Sequence, residues 1–221
     1  MAAAAGAAAP EVLGAPVQQS FDLANVGDGL HIESLLRDHF STNRLKELAL
    51  LYHDGFGGKR CCLCFSNTEG ETINSVRSAY TSFPEAKLQA CGVAVDAKGQ
   101  ELGLVQLGFH DTSGDWEIPS CCVCLASTPK PGVCHLERIV VGKAARGKGL
   151  GSKLLDWADA KARERGCKEI YLEVVRGNPA KQLYEKHGYV SKSTNCSRCM
   201  MCPLVFCTMG YLYADSMHKP L

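Results

Sequence analysis

The sequence predicts an α+β domain, a mixed twisted β-sheet flanked by helices. Three stretches carry that expectation. Lys87 to Val95 and Glu101 to Phe109 are apolar runs joined by Asp96-Ala97-Lys98-Gly99, a turn with glycine in its last position, and together they read as a hairpin. Leu136 to Leu155, LERIVVGKAARGKGLGSKLL, passes from a β-branched strand through a glycine-rich turn bearing Lys143, Arg146 and Lys148 into a helix. Behind it, a strand at Lys168 to Val175 and a short helix between Pro179 and Gly188 complete a β-α-β-α run.

Composition narrows the class. The 221 residues suffice for one full core and are short for two. With 46% hydrophobic and 21% charged residues the chain resembles ordinary globular proteins. A formal net charge of +1 gives no general attraction to nucleic acid or to an acidic membrane surface, so neither partner is expected. No apolar run approaches the ~20 residues of a membrane-spanning helix. The 13 cysteines are odd in number and include the adjacent pairs Cys61–Cys62 and Cys121–Cys122, a poor disulfide framework. A reducing, cytoplasmic location is the expectation.

Residues 1–19 are alanine-rich, carry no Lys or Arg, and read as a disordered tail; residues 20–221 read as a single domain. Phe21 to Val26 suits a first strand. From His31 to Phe40, Ile32, Leu35, Leu36 and Phe40 stand at helical spacing. Ser41 or Thr42 can cap a following helix that carries Leu45, Leu48, Ala49 and Tyr52 and meets Gly55, Gly57 and Gly58. Glu69 to Tyr80 suits another helix, stopped before Pro84. Asp111 to Gly132 reads as a long insertion, with a short strand possible over Cys121 to Leu125. After the glycine turn, Leu150, Leu154, Leu155, Ala158 and Ala162 form one apolar stripe that ends at Gly166. Ile170, Leu172 and Val174 alternate in the next strand. Asn178-Pro179 is a helix start, and Leu204 to Tyr213 is a last strand candidate.

A strand, a glycine loop and a helix N-terminus make a phosphate holder. Glycines let the backbone approach, the first helical N–H groups donate, and the helix dipole favours negative charge. A glycine-rich turn without a ligand is the plainer reading of such a stretch, so the spacing must decide. A mononucleotide loop needs G-x-x-x-x-G-K and then Ser or Thr. Gly142, Gly147 and Lys148 fit that frame, but Gly149 stands where the metal-binding hydroxyl belongs, and the later apolar strand ends in Arg176 rather than an acid. A dinucleotide fingerprint needs G-x-G-x-x-G, and Gly147, Gly149 and Gly151 fall one residue short. The frame Q/R-x-x-G-x-G/A is matched in full by Arg146, Gly149 and Gly151.

That frame, after a strand ending in I-x-V, resembles the coenzyme A loop of the GNAT superfamily of acetyl-CoA-dependent N-acetyltransferases. A second segment, NPAKQLYEKHGYV, is similar to the family's N-x-x-A-x-x-L-Y-x-x-x-G-F. Asn178, Ala180, Leu183, Tyr184, Gly188 and Tyr189 match it, with one residue fewer between Asn and Ala. The likeness covers about Cys134 to Val190, and the tail beyond departs from it most.

The resemblance implies a mixed sheet with an acetyl-CoA cleft between two splayed parallel strands. It implies direct acetyl transfer from acetyl-CoA, the cosubstrate, to the primary amine of a small molecule or peptide. Backbone groups of Ile139, Val140 and Val141 would run along the pantetheine arm. The pyrophosphate would sit on the main-chain N–H groups of Arg146, Gly147, Lys148, Gly149, Leu150, Gly151 and Ser152. Tyr184 would give a proton to the leaving thiolate, and Asn178 would contact a pantetheine amide. Glu137, or His135 two residues before it, would take a proton from the amine. Each residue also has a plainer role. Tyr184 shares an amphipathic face with Ala180, Leu183 and His187. Asn178 can simply cap a helix, and Glu137 can be a hydrogen-bonded strand carboxylate.

Two other functions compete with this reading. One is a GNAT-like module that binds an acyl-CoA without catalysis. The other is a metal or redox protein built on Cys196, Cys199, Cys202 and Cys207. Their spacing fits no usual zinc or iron–sulfur arrangement, so buried thiols and no metal are expected. The acceptor depends on Phe21 to Phe56 and Asp111 to Gly132, which show no interpretable pattern.

Overall fold

The computed structural model describes residues 29–56, 69–112, 128–192 and 214–221. Its strands form one seven-stranded sheet in the order β1-β2-β3-β4-β5-β7-β6. They are β1 His31–Ser34, β2 Cys91–Val95, β3 Glu101–Gly108, β4 Val133–Val141, β5 Glu169–Val175, β6 Val190–Lys192 and β7 Ala214–Pro220. Only β4 and β5 run parallel; every other neighbouring pair is antiparallel. The helices are α1 Thr42–Phe56, α2 Glu69–Ser82, α3 Glu85–Leu88, α4 Leu150–Glu164 and α5 Ala180–Lys186. The α+β class and the mixed sheet read from the sequence are both present.

Two apolar clusters lie on the two faces of the sheet. On one face, Leu150, Leu154, Leu155, Ala158 and Ala162 of α4 pack with Val105, Leu107, Ile170, Leu172 and Val174. On the other, Leu45, Leu48 and Tyr52 of α1 and Val76 and Tyr80 of α2 pack with Val93, Leu104 and Val140. Burying one leucine fully is worth roughly 1.5–3 kcal/mol, so these stripes hold the helices more firmly than local propensity does. The central strand β3 is covered on both faces, which is why it reads as an almost unbroken apolar run.

Two elements differ from expectation. His31 to Phe40 is not a helix. Its first residues form β1, paired with β2 through Ile32↔Ala94, and only Arg37–His39 makes a short 3-10 turn. The helical spacing of its apolar residues is genuine, but the edge of β2 offers a hydrogen-bond ladder that an isolated ten-residue helix cannot match. Strand β2 also begins later than Lys87. Pro84 stops α2 and its carbonyl accepts from the N–H groups of Lys87 and Leu88, closing the turn of α3. That turn carries the Lys87 side chain inward, where it is only 2% exposed.

Other expectations hold. Ser41 Oγ accepts from the Arg44 N–H at 3.0 Å and caps α1. Gly99 closes the hairpin with φ +79°. The tail at 1–19, the strand expected over Phe21 to Val26, the strand over Cys121 to Leu125, Cys196 to Cys207 and the strand candidate Leu204 to Tyr213 lie outside the described residues. The strand that borders β5 is β7, Ala214–Pro220, which the sequence did not announce. Its sequence, ADSMHKP, is too polar to look like an inner strand, and among its described side chains only Met217 is fully buried.

Candidate active site

The site begins with a defect in the sheet. Opposite β3, Gln106 pairs with Arg138 and Leu107 pairs with Leu136. Glu137 is therefore the extra residue of a β-bulge, which bends the strand and raises its twist. The bulge also reverses the faces. Cys134 and Leu136 pack with α4, whereas Val140, an even number of residues on, packs with α1 and α2.

The bend opens the sheet between its two parallel strands. They pair only through Val133↔Glu169, Cys134↔Ile170 and His135↔Tyr171. Beyond this point β4 stays with β3 to Gly103↔Val141, and β5 stays with β7 to Val175↔Ala214. Leu136 to Val141 and Leu172 to Val175 thus face each other across a slot without a shared ladder. Backbone polar groups removed from water require partners. A ligand that carries amides of its own can provide them, and Ile139, Val140 and Val141 line this edge.

The slot leads to the glycine turn at the start of α4. The first N–H groups of α4, at Leu150, Gly151 and Ser152, have no acceptor within the helix. Gly149 precedes them with φ +79°, and a Cβ there would meet nothing within 4 Å. Gly151 is constrained differently, because a Cβ there would lie 2.9 Å from Leu183 Cδ2 of α5. This glycine permits the close approach of the two helices that bear the site. Arg146 braces the turn from below. Its Nε donates to Val141 O at 2.9 Å, its Nη2 to Asp54 O at 3.3 Å, and its own N–H to Lys143 O at 3.4 Å. Among the described residues, the donors of the turn left for a ligand are therefore those from Gly147 onward, with Lys148 exposed beside them.

This geometry makes a clear prediction. Gly149→Glu should abolish coenzyme A binding in calorimetry while the thermal transition persists. Open space surrounds the position, so the folding penalty is limited to the left-handed backbone, ~1–2 kcal/mol. Unchanged affinity would remove the turn from the site.

Helix α5 presents Tyr184 to the α4 side of the slot. The residue is 7% exposed, and burial pushes its phenol up to about 12. Among the described residues its hydroxyl has no hydrogen-bond partner, and its ring meets Tyr189 edge-on at 6.0 Å. Asn178 performs its plain structural task. Its Oδ1 accepts from the Ala180 N–H at 3.0 Å, at the start of α5.

The two candidate bases occupy different settings. Glu137 is held in the interior, with its side chain 7% exposed. Lys87 Nζ donates to its two oxygens at 2.7 and 2.6 Å, and Gln106 Nε2 donates at 2.7 Å. His135 is more accessible, with its side chain 20% exposed, and its Nε2 lies 2.7 Å from Glu173 Oε2. Its ring stacks on Tyr171 at 4.5 Å and 4°. Glu173 and Lys87 were not singled out from the sequence. A signal for Glu173 was present, since Ile170, Leu172 and Val174 face α4 and so turn Tyr171 and Glu173 to the other face. Nothing local marks Lys87, whose partner lies 50 residues away.

Among the described residues no group of His, Cys, Asp or Glu could hold a metal ion, and no helix is long and apolar enough to cross a membrane.

Comparison with known proteins agrees with the arrangement. The model of the acetyltransferase (GNAT) family matches residues 33–189. The chain is 37% identical over 59 residues to Acetyltransferase Atu2258 of Agrobacterium fabrum (strain C58 / ATCC 33970). That match covers 26% of this chain, and the chain spans only 42% of that relative's length. Among solved structures, PH1933 from Pyrococcus horikoshii OT3 superposes with a TM-score of 0.58 at 21% identity, covering 87% of this chain and 98% of its own. The PaiA N-acetyltransferase from Thermoplasma acidophilum, in complex with coenzyme A, gives a TM-score of 0.51 at 14% identity over 87% and 99% of the two chains.

Proposed function

The chain belongs to the GNAT family of acetyltransferases, and from that premise we propose that it moves an acetyl group from acetyl-CoA directly to a primary amine of a small molecule or peptide. The observation that carries this reading is the slot. Two parallel strands part after three paired residues, and a glycine turn at a helix N-terminus stands at its end. A long, amide-bearing, phosphate-tailed cosubstrate matches both features. In the proposed complex, Ile139, Val140 and Val141 pair with the pantetheine arm, with Asn178 near it. The N–H groups from Gly147 to Ser152 hold the pyrophosphate, with Arg146 bracing them.

The thioester is already activated, so no acyl-enzyme is required. The reaction needs a proton acceptor beside the entering nitrogen and a donor beside the leaving sulfur. Tyr184 is the donor in this reading. A phenol near 12 is a weaker acid than an ordinary thiol, whose value is ~8.5. Tyr184 therefore acts mainly by hydrogen-bonding the developing thiolate, with full transfer following as the buried sulfur loses solvation.

Free-thiol release from acetyl-CoA, followed across a panel of primary amines, tests the proposal. Turnover with at least one amine supports it. Tight coenzyme A binding with no thiol release from any amine would instead support a non-catalytic acyl-CoA-binding module.

A further inference from the structure

We propose that the base for the acceptor amine is His135, with Glu173 as the residue that positions it, and that Glu137 has a structural role. This inference rests on the amine-acetyltransferase reading above. His135 is the last residue of β4 to pair with β5, so it stands where the slot opens. Its neighbours Cys134 and Leu136 pack with α4, which turns His135 to the opposite face. Tyr184 packs in that α4-side cluster. The two proton-handling groups thus flank the slot from opposite faces, one beside the entering nitrogen and one beside the leaving sulfur.

The imidazole is held in a defined orientation. His135, Tyr171 and His218 stand opposite one another on β4, β5 and β7. Their rings form a stack, with Tyr171 to His218 at 5.6 Å. His218 Nδ1 lies 2.5 Å from Glu169 Oε1, and its Nε2 lies 2.9 Å from Ser216 Oγ. Lys192 also bonds Glu169, at 2.9 Å. On the β3 side, His135 faces Gly108, and the Glu137 carboxylate fills the space above that glycine. An ionised carboxylate only accepts hydrogen bonds, so in the His135–Glu173 contact the imidazole Nε2 is the donor. Nδ1, which has no hydrogen-bond partner among the described residues, is then the lone pair left for a substrate. Glu137 lacks this freedom, because Lys87 and Gln106 already hold its oxygens in the interior.

The step balances. An ammonium acceptor gives one proton to Nδ1, directly or through one water. The freed nitrogen lone pair forms the C–N bond, the C–S electrons return to sulfur, and the nitrogen sheds a second proton as the amide forms. Sulfur takes up one proton, and one proton is released to solvent overall.

The test compares wild type, His135→Gln, Glu173→Gln and His135→Ala on the best amine, with coenzyme A affinity measured for each. His135→Gln should lower kcat/KM by ~10² at neutral pH, within the usual range for a positioned base. The deficit should shrink as pH rises and more amine arrives deprotonated. Glu173→Gln should lower kcat by ~10-fold with KM and coenzyme A affinity little changed, since its effect passes through the imidazole. Added imidazole should restore part of the turnover of His135→Ala. Wild-type turnover with undiminished His135→Gln would overturn the assignment and leave the acetyltransferase reading intact. No thiol release by wild type with any amine would overturn that reading and this one together.

Discussion

Tyr184→Phe should lower kcat by ~10²–10⁴ on the best acceptor, the usual contribution of a positioned proton donor. The substitution keeps the ring, and so keeps its edge contact with Tyr189 and its place in the cluster beneath α4. Only the hydroxyl is lost, and among the described residues that hydroxyl bonds to nothing. Stability should therefore change little, which separates a chemical effect from a folding effect. Coenzyme A affinity should also hold, because the proposed phosphate site is at the start of α4, away from the hydroxyl. The loss should appear equally in kcat and kcat/KM, the mark of an interaction formed in the transition state. Full turnover by Tyr184→Phe would make the tyrosine a packing residue and leave the thiolate to solvent.

Lys87→Met should cost ~3–5 kcal/mol in chemical denaturation of the full chain. Lys87 and Glu137 form an ion pair whose side chains are 2% and 7% exposed, and methionine leaves the carboxylate behind without its charge partner. Gln106 still donates to Glu137, but one neutral donor does not replace an ammonium. Stabilities of domains are typically ~5–15 kcal/mol, so the single variant should be severely weakened. Adding Glu137→Gln removes the stranded charge. The double variant should recover part of the loss, with a coupling of ~0.5–3 kcal/mol. A single-variant cost below ~1 kcal/mol would mean that water or a neighbouring cation replaces Lys87. The Arg138 guanidinium, 3.8 Å from Glu137, is the nearest such group. Because the pair pins the bulge of β4, partial loss of the slot should follow, and a weaker affinity for coenzyme A in Lys87→Met would report it.

The signals that were legible in the sequence are local ones. The hairpin around Gly99, the apolar stripe of α4, the alternation of Ile170, Leu172 and Val174, and the caps at Ser41 and Asn178 each depend on residues a few positions apart. So does the glycine turn before α4, because glycine spacing and a helix start define it without reference to the rest of the chain. The family and the loop could therefore be read before any coordinates.

Tertiary structure decided whatever depends on distant partners. His31 to Ser34 became a strand because the edge of β2 was available to it, against its own helical spacing. Polar β7 joined the sheet because it completes the ladder of β5, and ladder hydrogen bonds do not depend on side-chain hydrophobicity. Glu137 and His135, two positions apart on one strand, received opposite environments. A bulge and a lysine 50 residues away buried the first, while a stacked tyrosine and Glu173 left the second partly exposed at the mouth of the slot. Local spacing in the sequence was enough to place the glycine turn and the start of α4. Which carboxylate is locked in the interior and which imidazole stays partly exposed where β4 and β5 part was decided only when β3, β4 and β5 came together, because burial and ion pairing are properties of packed neighbours rather than of a residue's place in the chain.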